Sequence, residues 1–219
     1  MNLPAPTAVL FDWDNTLVDN WITIRDGINA ALTAFGHAPW TEAETRHRVR
    51  QSLRDSFPAL FGDEWERARD LFYETVRAGH LKTLKVIAGA PEMLAGLANA
   101  GLYLGVVSNK RGDLLRREAE QLGWTQYFGR LVGAGDADHD KPAIDPVLMA
   151  LSAGPLKPNQ SVWFVGDAAI DMECAIRADC TPILVRTGDE AEDAFSAWPP
   201  RHTVTSLDEL PTLVDRSSR

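Results

Sequence analysis

The sequence predicts an α/β fold: a parallel sheet with helices on both faces, interrupted after its first strand by an all-helical insert. Three observations predict it. Short apolar runs ending in small or acidic residues occur at 8–12, 103–108, 130–133, 162–167 and 181–185. Helix-like stretches at 112–122, 145–153 and 168–178 alternate with the later runs, the order of a parallel sheet with helical crossovers. Between about 19 and 88 no convincing strand occurs.

Taken in order, the first run, AVLFD, is apolar at every position before its acid. Continuous rather than alternating apolar character marks a strand buried on both faces. The next segments, 21–35, 41–53 and 64–78, read as amphipathic helices. Thr41 is placed to N-cap the second, with Glu44 three residues on as its capping-box partner. Gly36, Pro39, Pro58, Gly62 and the Gly89-Ala90-Pro91 turn act as breakers. The predicted division is a core of 1–18 and 89–219 and a helical insert of 19–88, of ordinary domain size. Toward the end, Trp198-Pro199-Pro200 reads as loop and 206–214 as a last short helix.

The chain carries 22 basic and 31 acidic residues, a formal net charge of −9. That balance argues against a nucleic-acid or anionic-membrane partner, which recruits Lys and Arg. It leaves room for a small anionic substrate met by local positive charge and a cation. No run approaches the roughly 18 apolar residues of a membrane helix, and the N-terminus lacks the basic head and apolar stretch of a secretory leader. A cytoplasmic protein is the expectation. Cys174 and Cys180 are too few for a disulfide framework and lack zinc spacing; both are expected reduced and buried.

Ligands of parallel α/β sheets bind beyond the carboxyl ends of the strands. The first strand ends Asp12-Trp13-Asp14-Asn15-Thr16, the second Ser108-Asn109-Lys110, and the fourth Gly166-Asp167, with Asp171 one helical turn later. Lys141 precedes the helix leading to the fourth strand. In extended chain residues i and i+2 point the same way, so Asp12 and Asp14 face one site while Trp13 turns aside into packing. Singly, each motif also reads as a cap, a first-turn acid or a surface loop. All four in this order, each at its own strand end or just after, bring four acids, Lys141 and two hydroxyls to one rim.

With "DWDNTLV", "VVSNK", "KPAIDP" and "GDAAIDMECA" assembled, the chain resembles the haloacid dehalogenase-like hydrolase superfamily over essentially its whole length, and most of all its phosphoglycolate phosphatase-like group. The resemblance implies a Rossmann-like core with a type-1 helical cap. It also implies a Mg²⁺-dependent phosphatase of a small phosphorylated metabolite, monomeric or homodimeric. Asp12 matches the nucleophile that becomes an aspartyl-phosphate, and Asp14 the general acid and base. Thr16, Ser108 and Asn109 match positions that steady the substrate, and Lys141 the lysine that neutralises the phosphoryl oxygens. Asp12, the backbone carbonyl of Asp14, Asp167 and Asp171 match the metal set. Cap closure is expected about hinges at 18–20 and 88–91.

Three departures stand out: Asn15 for Gly, which Asn tolerates because it accepts left-handed backbone; Ile144 for a proline of the lysine motif; and Arg50 in the cap for a glycine beside the substrate. Arg46, Arg50 and Arg54, four apart, would share one helical face, as a grip on a substrate anion or as a solvated face. His47 and His80 read as surface or packing residues, Trp40 and Trp65 as core. Asp14 separates a phosphatase from the dehalogenase branch. A phosphonate hydrolase would need a cap lysine, and only Lys82 and Lys85, at the far hinge, are available. The alternatives are a β-phosphoglucomutase-like phosphoryl transferase and a non-catalytic member that binds a phosphorylated ligand or a protein.

Overall fold

The computed structural model describes residues 3–49, 53–186 and 192–218. It divides into two compact units, Met1–Val18 with Val86–Arg219, and Asp19–Lys85. In chain order the elements are β1 (Ala8–Phe11), β2 (Val18–Asp19), α1 (Trp21–Ala34), α2 (Glu42–Arg48), α3 (Leu53–Phe61), α4 (Trp65–Thr83) and β3 (Lys85–Val86). They continue as α5 (Ala90–Asn99), β4 (Tyr103–Arg111), α6 (Gly112–Gln121), β5 (Arg130–Ala134), α7 (Asp145–Leu151), β6 (Val162–Gly166), α8 (Ala169–Arg177), β7 (Thr181–Val185), β8 (His202–Val204) and α9 (Glu209–Ser217). The fold is α/β with a helical insert, as the sequence predicts.

The larger unit is built on a six-stranded sheet of order β5-β4-β1-β6-β7-β8. Its strand pairs are parallel, with Ala8 opposite both Tyr103 and Val162. β1 lies at the centre because all four of its residues are apolar and fully buried, as a strand covered on both faces requires. Chain order runs outward from β4 to β5 and then crosses to β6 on the other side of β1. That reversal makes the carboxyl ends of β4, β1 and β6 the switch point where ligands of such sheets bind. Leu10, Val107, Val132, Leu151, Phe164 and Cys174 belong to one buried cluster of this core. Cys174 and Cys180 are free and buried; burial pushes both thiols up to about 12.

Beyond Val107 the β4–β5 register shifts, Val107 pairing Val132 but Arg111 pairing Ala134. Such irregularities re-aim side chains at functional edges. This one requires glycine: a Cβ on Gly133 would stand 2.5 Å from both Gly112 Cα and the Lys110 carbonyl oxygen.

In the helical unit Thr41 caps α2 as expected, its hydroxyl accepting from Glu44 N and its N–H donating to the Glu44 carboxylate. The structure departs from the sequence reading in several places. α2 ends at Arg48, with Val49 extended, so 41–53 is not one helix and Arg46 does not share a continuous helical face with Arg54. Arg50 lies outside the described residues, as does the side chain of Arg54. Pro58, expected to break structure, sits inside α3; ring contacts of Phe57 with Phe61 and Phe72, and of Phe61 with Phe35, hold that helix despite the lost backbone bond. β8, for which the sequence reading names no element, is an edge strand whose His202 and Thr203 are exposed, too short for a periodic signal. Arg46 pairs with Glu42 at 2.7 Å and lies over the Trp21 ring. His47 is exposed, His80 and Trp40 are buried, and Trp65 is half-buried.

α1 and α4 cross closely at Gly27, where an added Cβ would stand 2.8 Å from the Phe72 ring and 2.9 Å from Val76 Cγ2. Helix propensity alone favours Ala over Gly by about 1 kcal/mol. Overpacking a rigid ring costs about 1–3 kcal/mol and prevails here. Gly27→Ala is therefore expected to lower the unfolding free energy by a net ~1 kcal/mol, read as a lower urea midpoint in a denaturation curve followed by circular dichroism.

Candidate active site

β1 delivers Asp12 at the central strand's carboxyl edge, where its N–H donates to Val165 O of β6 at 2.9 Å. The chain then turns at Asn15, whose φ of 64° is the left-handed conformation expected of it. Asn15 N–H donates to Val18 O, and the N–H groups of Leu17 and Val18 converge on Trp13 O. The turn carries Thr16 back toward β6, and its hydroxyl donates to Asp167 Oδ1 at 2.9 Å. Gly166 closes β6 with no side chain because Asp171 takes that space: a Cβ there would overlap Asp171 Cβ. Asp171, fully buried in the first turn of α8, accepts the Ala168 N–H at 3.0 Å.

The loop between β5 and α7 brings Lys141 into the same place. Its ammonium donates to Asp12 Oδ1 at 2.7 Å and to Asp171 Oδ1 at 2.6 Å; the residue is 2% exposed. Asn109 fixes the lysine's backbone from β4. Its Oδ1 accepts the Lys141 N–H at 2.9 Å, and its Nδ2 donates to the Lys141 carbonyl at 3.1 Å. Ser108, buried beside it, accepts the Lys110 N–H at 3.2 Å. Of the residues singled out from sequence, then, Asp12, Lys141, Asp171, Asp167 and Thr16 form one connected group, and Asn109 joins it through the lysine's main chain rather than through its side chain.

The charge of this group bears on what it could hold. Carboxylate oxygens of Asp12, Asp167 and Asp171 lie within 4.8 Å of one another, and Lys141 is the one ammonium these contacts bring to them. Burial pushes the Asp12 carboxyl up to about 6; the Lys141 ammonium beside it pulls the other way, and Asp171 adds to the rise. Asp167 is raised well above the usual carboxylate range by burial and by the charges of Asp171 and Asp12. Burial disfavours the charged form of Lys141, but Asp12 and Asp171 outweigh it and hold the ammonium above its ordinary range. The remaining negative charge and the all-oxygen donor set fit a hard divalent cation. Asp14 is not in that cluster; its carboxylate meets Lys110 Nζ at 3.1 Å.

Sequence reasoning missed two residues. Lys110 ends the VVSNK stretch, where the sequence suggests no role for it, and its ammonium bridges Asp14 and Glu118. Glu118 carries no expectation from the sequence reading, yet it is fully buried, three and four residues after Leu115 and Leu114 on the buried face of α6. Trp13 is buried and edge-on to Trp124 and Phe128, as expected of packing, but its indole N–H also donates to Glu118 at 2.7 Å.

The chain is similar to known proteins along nearly its whole length. The chain is 31% identical to the N-acetylmuramic acid 6-phosphate phosphatase of Pseudomonas aeruginosa, over 96% of this chain and 95% of that protein. It is 29% identical to a phosphoglycolate phosphatase of Chromobacterium violaceum, over 98% of this chain and 99% of that one. In fold it matches a hydrolase of the haloacid dehalogenase-like family from Streptococcus pneumoniae, with a TM-score of 0.84 at 20% identity, covering 95% and 98% of the two chains. The family described as haloacid dehalogenase-like hydrolase matches residues 9–185. The chain belongs to the haloacid dehalogenase-like hydrolase family.

Proposed function

We propose that this protein is a Mg²⁺-dependent phosphatase that hydrolyses a small phosphate monoester through an aspartyl-phosphate on Asp12. The observation that carries the reading is the buried Asp12–Lys141–Asp171 ion-pair group with Asp167 at its side, at the edge where β4, β1 and β6 end. Relatives named as phosphatases support it. Asp12, Asp167 and Asp171 would hold the metal, which when bound screens the carboxylate–phosphate repulsion.

The residues divide the work. An Asp12 oxygen attacks phosphorus as the ester P–O bond breaks. Asp14 gives a proton to the departing oxygen, then takes one from the water that cleaves the acyl phosphate. Lys141 holds the Asp12 carboxylate and offsets charge on the phosphoryl oxygens. Asn109 holds the lysine, Thr16 steadies Asp167, and Ser108 lies beside them at the end of β4. The substrates named for the two relatives, N-acetylmuramic acid 6-phosphate and phosphoglycolate, are both phosphate monoesters that also carry a carboxylate, so phosphorylated carboxylic acids head the panel to test.

Phosphate release from that panel and from a generic aryl phosphate is expected to require Mg²⁺ and to stop with chelator. Asp12→Asn is expected to abolish it with an unchanged circular-dichroism spectrum; near-normal turnover by this variant would remove Asp12 as nucleophile. Lys141→Ala is expected to lower kcat by about 10²–10³, the cost of losing a preorganised charge, and a severalfold effect would mean that the lysine is not at the transferring group. Gly166→Ala, which touches no substrate, is expected to cost about 10² in kcat by displacing Asp171; unaltered kinetics would show that the edge accommodates the methyl.

A further inference from the structure

The segment between the two rim aspartates leads into a buried polar chain that the chemistry above does not use. Trp13 Nε1 donates to Glu118 Oε2 at 2.7 Å. The other oxygen, Glu118 Oε1, lies 2.9 Å from Lys110 Nζ, which donates in turn to Asp14 Oδ1 at 3.1 Å. Glu118 is fully buried and the Lys110 side chain is 6% exposed. Burying a glutamate and a lysine in the core gains little stability over well-packed apolar residues. What the pair does provide is a fixed direction. The β4–β5 register shift falls at this point: Lys110 stands between Val107 and Arg111, and the bare Gly133 accommodates its carbonyl.

We propose that Lys110 is a positioning residue for Asp14, itself held in place by Glu118 and, through it, by Trp13. The proposal rests on the reading of Asp14 as general acid and base. Holding one oxygen of the Asp14 carboxyl fixes where the other points, so the proton it delivers travels toward the ester oxygen as the P–O bond breaks. Misaimed proton donors lose much of their effect. Glu118 balances the charge of Lys110, so the pair orients Asp14 without setting an unpaired ammonium beside it. The tryptophan between the two aspartates thereby gains a second role besides packing, as the far anchor of the proton donor.

The test compares esters that differ in their need for a proton. Single-turnover rates of phosphoryl transfer to Asp12 are measured with phenyl phosphate, a poor leaving group, and dinitrophenyl phosphate, a good one. The variants are Asp14→Asn, Lys110→Met/Glu118→Gln, which removes both buried charges and leaves neither unpaired, and Trp13→Phe. The double variant is expected to slow phenyl phosphate by about tenfold or more and dinitrophenyl phosphate by at most about twofold, a partial copy of the Asp14→Asn pattern. Trp13→Phe is expected to give the same split in smaller degree, and stands in for the double variant if that one does not fold. Equal slowing of both esters, or none, by the double variant while Asp14→Asn keeps its split would overturn the positioning role alone. Absence of a split in Asp14→Asn would overturn the acid reading instead, and the proposal with it.

Discussion

The Lys141 ammonium between Asp12 and Asp171 is the contact on which the candidate site depends. Carboxylates this close and this buried repel one another more strongly than they would in water, and an unpartnered buried charge is heavily penalised. Each short bond from the lysine therefore holds an acid in place as well as balancing it. The lysine is not left to its own long stem. Asn109 grips both its N–H and its carbonyl, and the Phe164 ring lies 5.8 Å from its ammonium. One asparagine from β4 thus sets a lysine from the loop after β5, which sets acids from β1 and from α8.

The same economy recurs around the edge. Thr16 ties Asp167, the Ala168 N–H ties Asp171, and Lys110 ties Asp14. A group whose direction is fixed in advance need not be reorganised during reaction, and in a water-poor setting its charge acts at full strength. The sheet supplies the fixed frame. β1, buried at every position and paired on both sides, is a rigid place from which to project Asp12, and Gly166 leaves the room that Asp171 fills.

Much of this was legible in the sequence because it depends on patterns that survive in one dimension. Continuous apolar runs mark strands buried on both faces, and acids directly after such runs have few structural reasons to be there. Hence Asp12 and Asp167 stand out from the sequence pattern itself, while Lys141 is marked by the family resemblance. What was not legible depends on partners distant in the chain. The helical period puts Glu118 on the buried face of α6 with Leu114 and Leu115 and leaves Glu120 exposed, but its partner Trp13 is 105 residues away and no local pattern names it. Asn109 was expected at the substrate but spends both ends of its amide on the lysine's backbone. Pro58 stays helical because of rings that pack on α3 from elsewhere in the unit, and β8 is too short to carry a period.

The buried cysteines have a practical consequence. Both thiols sit in apolar surroundings that disfavour the thiolate, and the thiolate is the species that reacts with oxidants and alkylating reagents. The native chain should therefore be nearly inert toward maleimides while folded. A cysteine introduced at an exposed position such as His47 would then react selectively, giving a single attachment point for a fluorophore or spin label without first removing either native sulfur.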